Sequence, residues 1–134
     1  MQILIDADAC PVTQIAAEIA YYNHIKCVVI CDTSHNTSVE RSENIIVDKG
    51  KESADFHIMN LVQPGDIVIT HDFKLAMVCL SMGAYVLEHN GRRYHEQCAP
   101  KKQTKLSKRT EQQDVDFEEA LSDLVWEILT EADD

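Results

Sequence analysis

Four aspartates stand where they could meet. Asp6 and Asp8 follow the apolar run Ile3-Leu4-Ile5, Asp72 follows Ile67-Val68-Ile69-Thr70, and Asp55 lies in a stretch of helical spacing. An extended strand buries alternate aliphatic residues cheaply, whereas an acid is costly to bury and belongs at the strand's end. In α/β proteins the carboxyl ends of parallel strands are where ligands gather. Asp6, Asp8 and Asp72 therefore face one crevice if their strands are neighbours across the point where the winding reverses. Ile58, Met59 and Val62 fall at i+3, i+4 and i+7 from Asp55, so its carboxylate projects close to the face that packs on the sheet.

Two like charges ~4 Å apart repel by about 4 kcal/mol at an effective dielectric near 20. Three carboxylates together need a cation or a shifted protonation. Mg²⁺ and Mn²⁺ prefer carboxylate and water oxygens, and either would relieve the repulsion, orient a water and offset charge developing on a phosphate. That chemistry suits phosphodiester hydrolysis. Each acid also has a plainer reading: Asp72 as a helix N-cap, Asp8 as a turn residue, Asp55 as a helix-edge acid, Asp6 as an ordinary strand end. Their joint placement favours a metal or ligand site.

Asp66 begins the strand that Asp72 follows, which puts it about 20 Å away and outside any shared metal site. The superficial likeness of Asp6-Ala7-Asp8 and Gly65-Asp66 to haloacid-dehalogenase-type phosphatases fails on that geometry. His71, beside Asp72, is within reach of a substrate. The remaining histidines lack a ligand spacing such as HxxxH. Cys10 adjoins the acids, but no base is tied to it by spacing.

The elements that must position these residues alternate. Val12–Tyr22 has the spacing of a helix, with Pro11 suited to its first turn. Ile25–Cys31 and Asn44–Val47 are β-branched runs of strand type, separated by a polar loop. Ser53–Val62 reads as a helix, and Pro64-Gly65 breaks the chain before the strand Asp66–Thr70. Asp72 is placed to cap a further helix ending near Gly83, Tyr85–Leu87 is a last strand, and Asn90-Gly91 a turn. Strands alternating with helices predict an α/β fold: a single domain over 1–134 with a mostly parallel central sheet flanked by helices. Residues 92–110 read as an exposed basic segment. Over 114–131, Phe117, Leu121, Leu124, Val125, Ile128 and Leu129 mark a docked amphipathic helix with acids on its other face.

The 134 residues carry a formal net charge of −11, unevenly spread. Residues 111–134 contain ten acids and no Lys or Arg, so the remainder, with thirteen acids and twelve bases, is nearly neutral. Seven of those bases, Arg92, Arg93, Lys101, Lys102, Lys105, Lys108 and Arg109, crowd one stretch against the single acid Glu96. Such a run supplies salt-sensitive, sequence-blind affinity for a phosphate backbone, although a solvated loop would look the same. Only Tyr94 interleaves it, so base stacking does not dominate. No apolar stretch approaches the ~20 residues that span a bilayer, and the first residues show no basic n-region before an apolar h-region. The five cysteines form no CxxC pair, which points to a reducing compartment. A soluble, cytoplasmic protein without a membrane partner is expected.

Asp6-Ala7-Asp8-Ala9-Cys10-Pro11-Val12, Val47-Asp48-Lys49-Gly50, Ser53-Ala54-Asp55, Gly65-Asp66-Ile67-Val68-Ile69-Thr70, Leu75-Ala76 and Asn90-Gly91 resemble the YaiI/YqxD family of small bacterial proteins over nearly the whole chain. That family has no established activity. Its fold is similar to PIN-like nuclease domains, in which acids at strand ends bind Mg²⁺ or Mn²⁺ and cleave RNA. The resemblance implies that Asp6, Asp55 and Asp72 hold the metal, with Thr70 as the Thr of a Thr-x-Asp turn. A further acid of the PIN pattern has no clear counterpart, Glu40, Asp48 and Glu52 being candidates.

The leading expectation is a Mg²⁺- or Mn²⁺-dependent ribonuclease-like enzyme. Asp6, Asp8, Asp55 and Asp72 are its catalytic set, and Thr70 and the bases from Arg92 to Arg109 bind the nucleic acid. A second reading is a nucleic-acid- or ribosome-binding module without catalysis. A third is a small phosphatase or nucleotide hydrolase using the same carboxylates. The acidic C-terminal helix could also screen the basic segment until RNA displaces it.

Overall fold

Ile3 and Ile5 pack into one apolar layer and Leu4 into another, because successive side chains of a strand leave opposite faces. The computed structural model describes residues 1–8, 10–33, 38–48, 54–99 and 108–131. Its elements are β1 (Gln2–Asp6), α1 (Thr13–Tyr22), β2 (Lys26–Asp32), β3 (Glu43–Val47), α2 (Ala54–Leu61), β4 (Ile67–Ile69), α3 (Phe73–Ser81), β5 (Tyr85–Leu87) and α4 (Glu111–Glu131). The five strands form one parallel sheet in the order β3-β2-β1-β4-β5. The α/β class, the parallel sheet and the C-terminal helix expected from the sequence are all present.

Both faces of the sheet are covered, which is why its strands are apolar throughout rather than alternating. On one face Ile3, Ile5, Val29, Ile67 and Ile69 pack with α1 and with Phe117, Leu121, Leu124 and Val125 of α4. On the other, Leu4, Val28, Ile30, Val68 and Val86 pack with Ile58 of α2 and Leu75, Ala76 and Cys79 of α3. The chain winds outward from β1 through β2 to β3 and then crosses back to lay β4 on the other side of β1. The switch point thus lies between β1 and β4. No helix among the described residues is long and apolar enough to cross a membrane.

Three features depart from the sequence reading. The start of the basic segment is not an excursion. Arg93 forms an antiparallel bridge with Leu87, Glu88 N donates to Arg92 O at 2.8 Å, and Tyr94 N donates to Val86 O at 3.0 Å. This return covers the edge of β5, whose backbone groups would otherwise lack partners, and it buries Tyr94 to 4 % exposure in the core. Lys101, Lys102 and Lys105, like Glu52, lie outside the described residues.

Secondly, α4 begins at Glu111 rather than Asp114. Thr110 and Gln113 form a reciprocal capping box, Gln113 N donating to Thr110 Oγ1 at 3.3 Å and Thr110 N donating to Gln113 Oε1 at 2.9 Å. Thirdly, Pro11 and Val12 form the turn ahead of α1, which starts at Thr13.

Candidate functional site

The carboxyl ends of β1 and β4 lie side by side, with Ile5 paired to Ile69, so the next residues, Asp6 and Thr70, emerge together. Strand alternation puts Leu4, Asp6 and Asp8 on the α2/α3 face, and Val68 and Thr70 likewise. The row that begins as core therefore ends as acid. α2 starts at Ala54 and α3 at Phe73, which brings Asp55 and Asp72 to the same edge of the sheet. Asp6, Asp8, Asp55 and Asp72, with Ala54 and His71, line an open cleft of about 250 Å³. All four aspartates singled out in the sequence thus come together from three separate stretches of chain.

Their surroundings differ. Asp6 is 7 % exposed, and its Oδ2 accepts from Thr70 Oγ1 at 2.9 Å. Burial pushes its pKa above the usual carboxylate value and Asp8 adds to the rise, while the Thr70 hydrogen bond and His71 oppose it. Asp72 caps α3: its Oδ1 accepts from Lys74 N at 2.9 Å and Leu75 N at 3.2 Å, and its own N–H donates to Thr70 Oγ1 at 3.0 Å. The capping role and the place in the cleft are compatible, since a helix cap following a strand sits at the strand's end. Asp8 Oδ1 accepts from Asp32 N at 3.2 Å, which ties it to the end of β2. The N-termini of α2 and α3 lend partial positive charge that tempers the carboxylates' repulsion.

The donor set is all hard oxygen, the chemistry that Mg²⁺ and Mn²⁺ select. Among the described residues no three His, Cys, Asp or Glu side chains form a closed metal-binding group. An ion in this cleft would therefore take few protein ligands directly and keep several waters.

Other residues fall elsewhere. Asp66 lies at the opposite end of β4, buried to 3 % exposure, where it accepts from Gln2 N, Gln2 Nε2 and Gln63 N at 3.1, 3.1 and 2.8 Å. It holds the amino ends of β1 and β4 together and takes no part in the cleft. The Cys10 thiol is pushed up in pKa, chiefly by burial, which disfavours a thiolate nucleophile. Of the bases, Arg92 lies 3.8 Å from Glu88, Arg93 3.0 Å from Glu127, and Arg109 2.7 Å from Asp114. Lys108 is exposed. Arg93 and Arg109 thus fasten α4 to the rest of the fold.

His89 was not singled out by sequence reasoning. Its ring centroid lies 4.9 Å from that of His71, tilted by 58°. The two occupy the same offset, two residues beyond the paired Ile69 and Leu87, and that equal offset is the signal that could have found them.

The comparisons with known proteins agree on a family. The profile of an uncharacterised family, YaiI/YqxD, matches residues 4–115. A UPF0178 protein of Alkaliphilus oremlandii is 36 % identical over 137 residues, covering 90 % of this chain and 88 % of that protein. UPF0178 proteins of Ruminiclostridium cellulolyticum and Natranaerobius thermophilus are 46 % and 42 % identical over 72 % of this chain, and the match spans just under two-thirds of each, 63 % and 66 %. No solved structure matches. With a profile match across most of its length and these relatives, the chain belongs to the uncharacterised YaiI/YqxD family.

Proposed function

We propose that this protein is a metal-dependent nuclease that hydrolyses phosphodiester bonds in RNA, with a PIN-like arrangement of acids. One observation carries the reading: Asp6, Asp8, Asp55 and Asp72 line a single cleft at the switch point between β1 and β4. The convergence of carboxylates at that point of a parallel sheet, where ligands gather in α/β folds, supports a ligand-binding reading. Asp6, Asp55 and Asp72 would hold Mg²⁺ or Mn²⁺, in part through the ion's own waters. A bound ion would supply charge neutralisation at the phosphate and a more acidic water. Thr70 keeps Asp6 oriented by its hydrogen bond, and Asp8 lines the cleft beside Asp6, where it can orient the attacking water. Lys101, Lys102, Lys105 and Lys108 are the bases proposed to draw in the phosphate backbone, whereas Arg92, Arg93 and Arg109 are engaged with acids of the fold.

A second reading is favoured by the absence, among the described residues, of a closed group of three metal-binding side chains. On that reading the protein binds RNA and does not cut it. Cleavage of a labelled single-stranded RNA with Mn²⁺, Mg²⁺ or EDTA, comparing wild type with Asp72→Asn purified identically, separates the two. Metal-dependent cutting lost in the variant supports the nuclease. Binding without cutting under any metal supports the module, and unchanged affinity after charge reversal of Lys101, Lys102 and Lys105 removes both.

A further inference from the structure

Strand alternation that sends Asp6 and Thr70 to one face of the sheet sends the second residues beyond Ile69 and Leu87 to the other. His71 and His89 stand there, ring against ring at 4.9 Å, at the border of the acid cleft that His71 lines. Arg109 joins them from just ahead of α4, its guanidinium donating from Nη2 to His89 O at 2.7 Å and from Nε to Asp114 Oδ1 at 2.7 Å. Those two bonds use only part of a guanidinium's five donors. The strand ends thus carry carboxylates on one side and nitrogen donors on the other.

His89 is the unexplained member. It is 9 % exposed, and its Nε2 is buried with no hydrogen-bond partner among the described residues. An aromatic hydrocarbon would fill the same space without leaving a polar atom unpaired, so the fold alone gives no reason for an imidazole here. Burial, with the nearby His71 and Arg109, lowers its pKa to about 4, so the ring is neutral and offers one donor and one acceptor.

We propose that His71, held by the positioning residues His89 and Arg109, forms a phosphate-ester subsite that contacts the backbone of a single-stranded nucleic acid beside the acid cleft. This rests on the nucleic-acid reading above and extends it, because it names the side of the cleft on which the strand lies. The acids take the reacting phosphate and the nitrogen cluster takes a neighbouring one.

The test follows imidazole signals of the full chain by ¹⁵N NMR during titration with a short oligouridylate in EDTA, where no metal-dependent cutting occurs. His71 and His89 should shift together and saturate, while the exposed His24, ahead of the amino end of β2 and away from the cleft, stays put. His89→Phe should keep the fold, weaken oligouridylate binding about tenfold and abolish the saturable response of His71; Arg109→Gln should weaken binding in the same direction. Unmoved His71 and His89 signals, no binding of the oligonucleotide, or wild-type affinity in His89→Phe would each overturn the subsite. A subsite that responds in a protein that never cuts RNA with Mn²⁺ would leave this inference standing and remove the nuclease. Cutting with silent imidazoles would do the reverse.

Discussion

The Thr70 hydroxyl donates to Asp6 Oδ2 at 2.9 Å while accepting the Asp72 N–H at 3.0 Å, so one side chain fastens the end of β1 to the cap of α3. Thr70→Val keeps the shape and removes both bonds, leaving a buried carboxylate without that donor. A loss of about 1–3 kcal/mol is expected in urea denaturation, with Thr70→Ser retaining most of it. If Asp6 serves a metal, Mn²⁺ affinity should fall with Thr70→Val as well.

Asp6→Asn should stabilise the metal-free protein at pH 7. Burial raises the folded-state pKa of Asp6, so its contribution to stability is full below the unfolded value of 3.8 and is lost as pH rises through the raised folded value. An asparagine still accepts from Thr70 and carries no charge to desolvate. Thermal melts in EDTA should show a gain of ~1 kcal/mol at pH 7 that closes towards pH 4. A variant less stable than wild type at pH 7 would count against burial as the dominant strain on Asp6.

The pH dependence set by His89 has the opposite sign. Its pKa falls from 6.5 unfolded to about 4 folded, so the unfolded chain takes up a proton first as pH drops. The stability that a neutral His89 contributes is full above pH 6.5 and is lost on descent towards 4. The stability of wild type relative to His89→Phe should therefore decline by about 3 kcal/mol between pH 7 and pH 4. Parallel stability curves for the two proteins would refute the buried neutral imidazole.

Gly91 lies at φ 89°, and a Cβ there would meet Asp116 O of α4 at 2.7 Å. Gly91→Ala should cost about 1–3 kcal/mol and loosen α4 from the turn after β5. Amide exchange accelerated in α4 but not in β1 would show the loss to be local.

Asp66→Ala removes an acceptor of three hydrogen bonds from a buried position at the far end of β4. A loss of about 2–4 kcal/mol is expected, with Mn²⁺ affinity of the folded protein unchanged. Weakened metal binding would instead tie Asp66 to the cleft, as a haloacid-dehalogenase arrangement requires.

Much of this fold was legible because its signals are local. Ile3-Leu4-Ile5 and Ile67-Val68-Ile69 announce buried strands by composition, Asp72 announces a cap by position, and Phe117 to Val125 announce a docked face by period. Tyr94 was misread because its burial depends on an edge: a short polar stretch has no period of its own, and only the bare side of β5 explains why it turns back. The Thr110–Gln113 capping box has a purely local signal, a Thr followed three residues later by a Gln. His89 had no sequence signal alone, since its partner stands eighteen residues away and is reached through the register of two parallel strands.

The sequence by itself determined that the acids sit at the ends of the apolar strands and not within them. A carboxylate after an aliphatic strand must emerge at its end, and the alternation of strands and helices forces those ends to one edge of a parallel sheet. Only the tertiary structure decided which ends are neighbours. The switch between β1 and β4 sets Asp6 against Thr70 and the pairing of β4 with β5 sets His71 against His89, while Asp66 stays at the other end, tied to Gln2. Strand order is settled by how both apolar faces are buried at once. That is a property of the whole packed chain, so no single segment encodes the cleft.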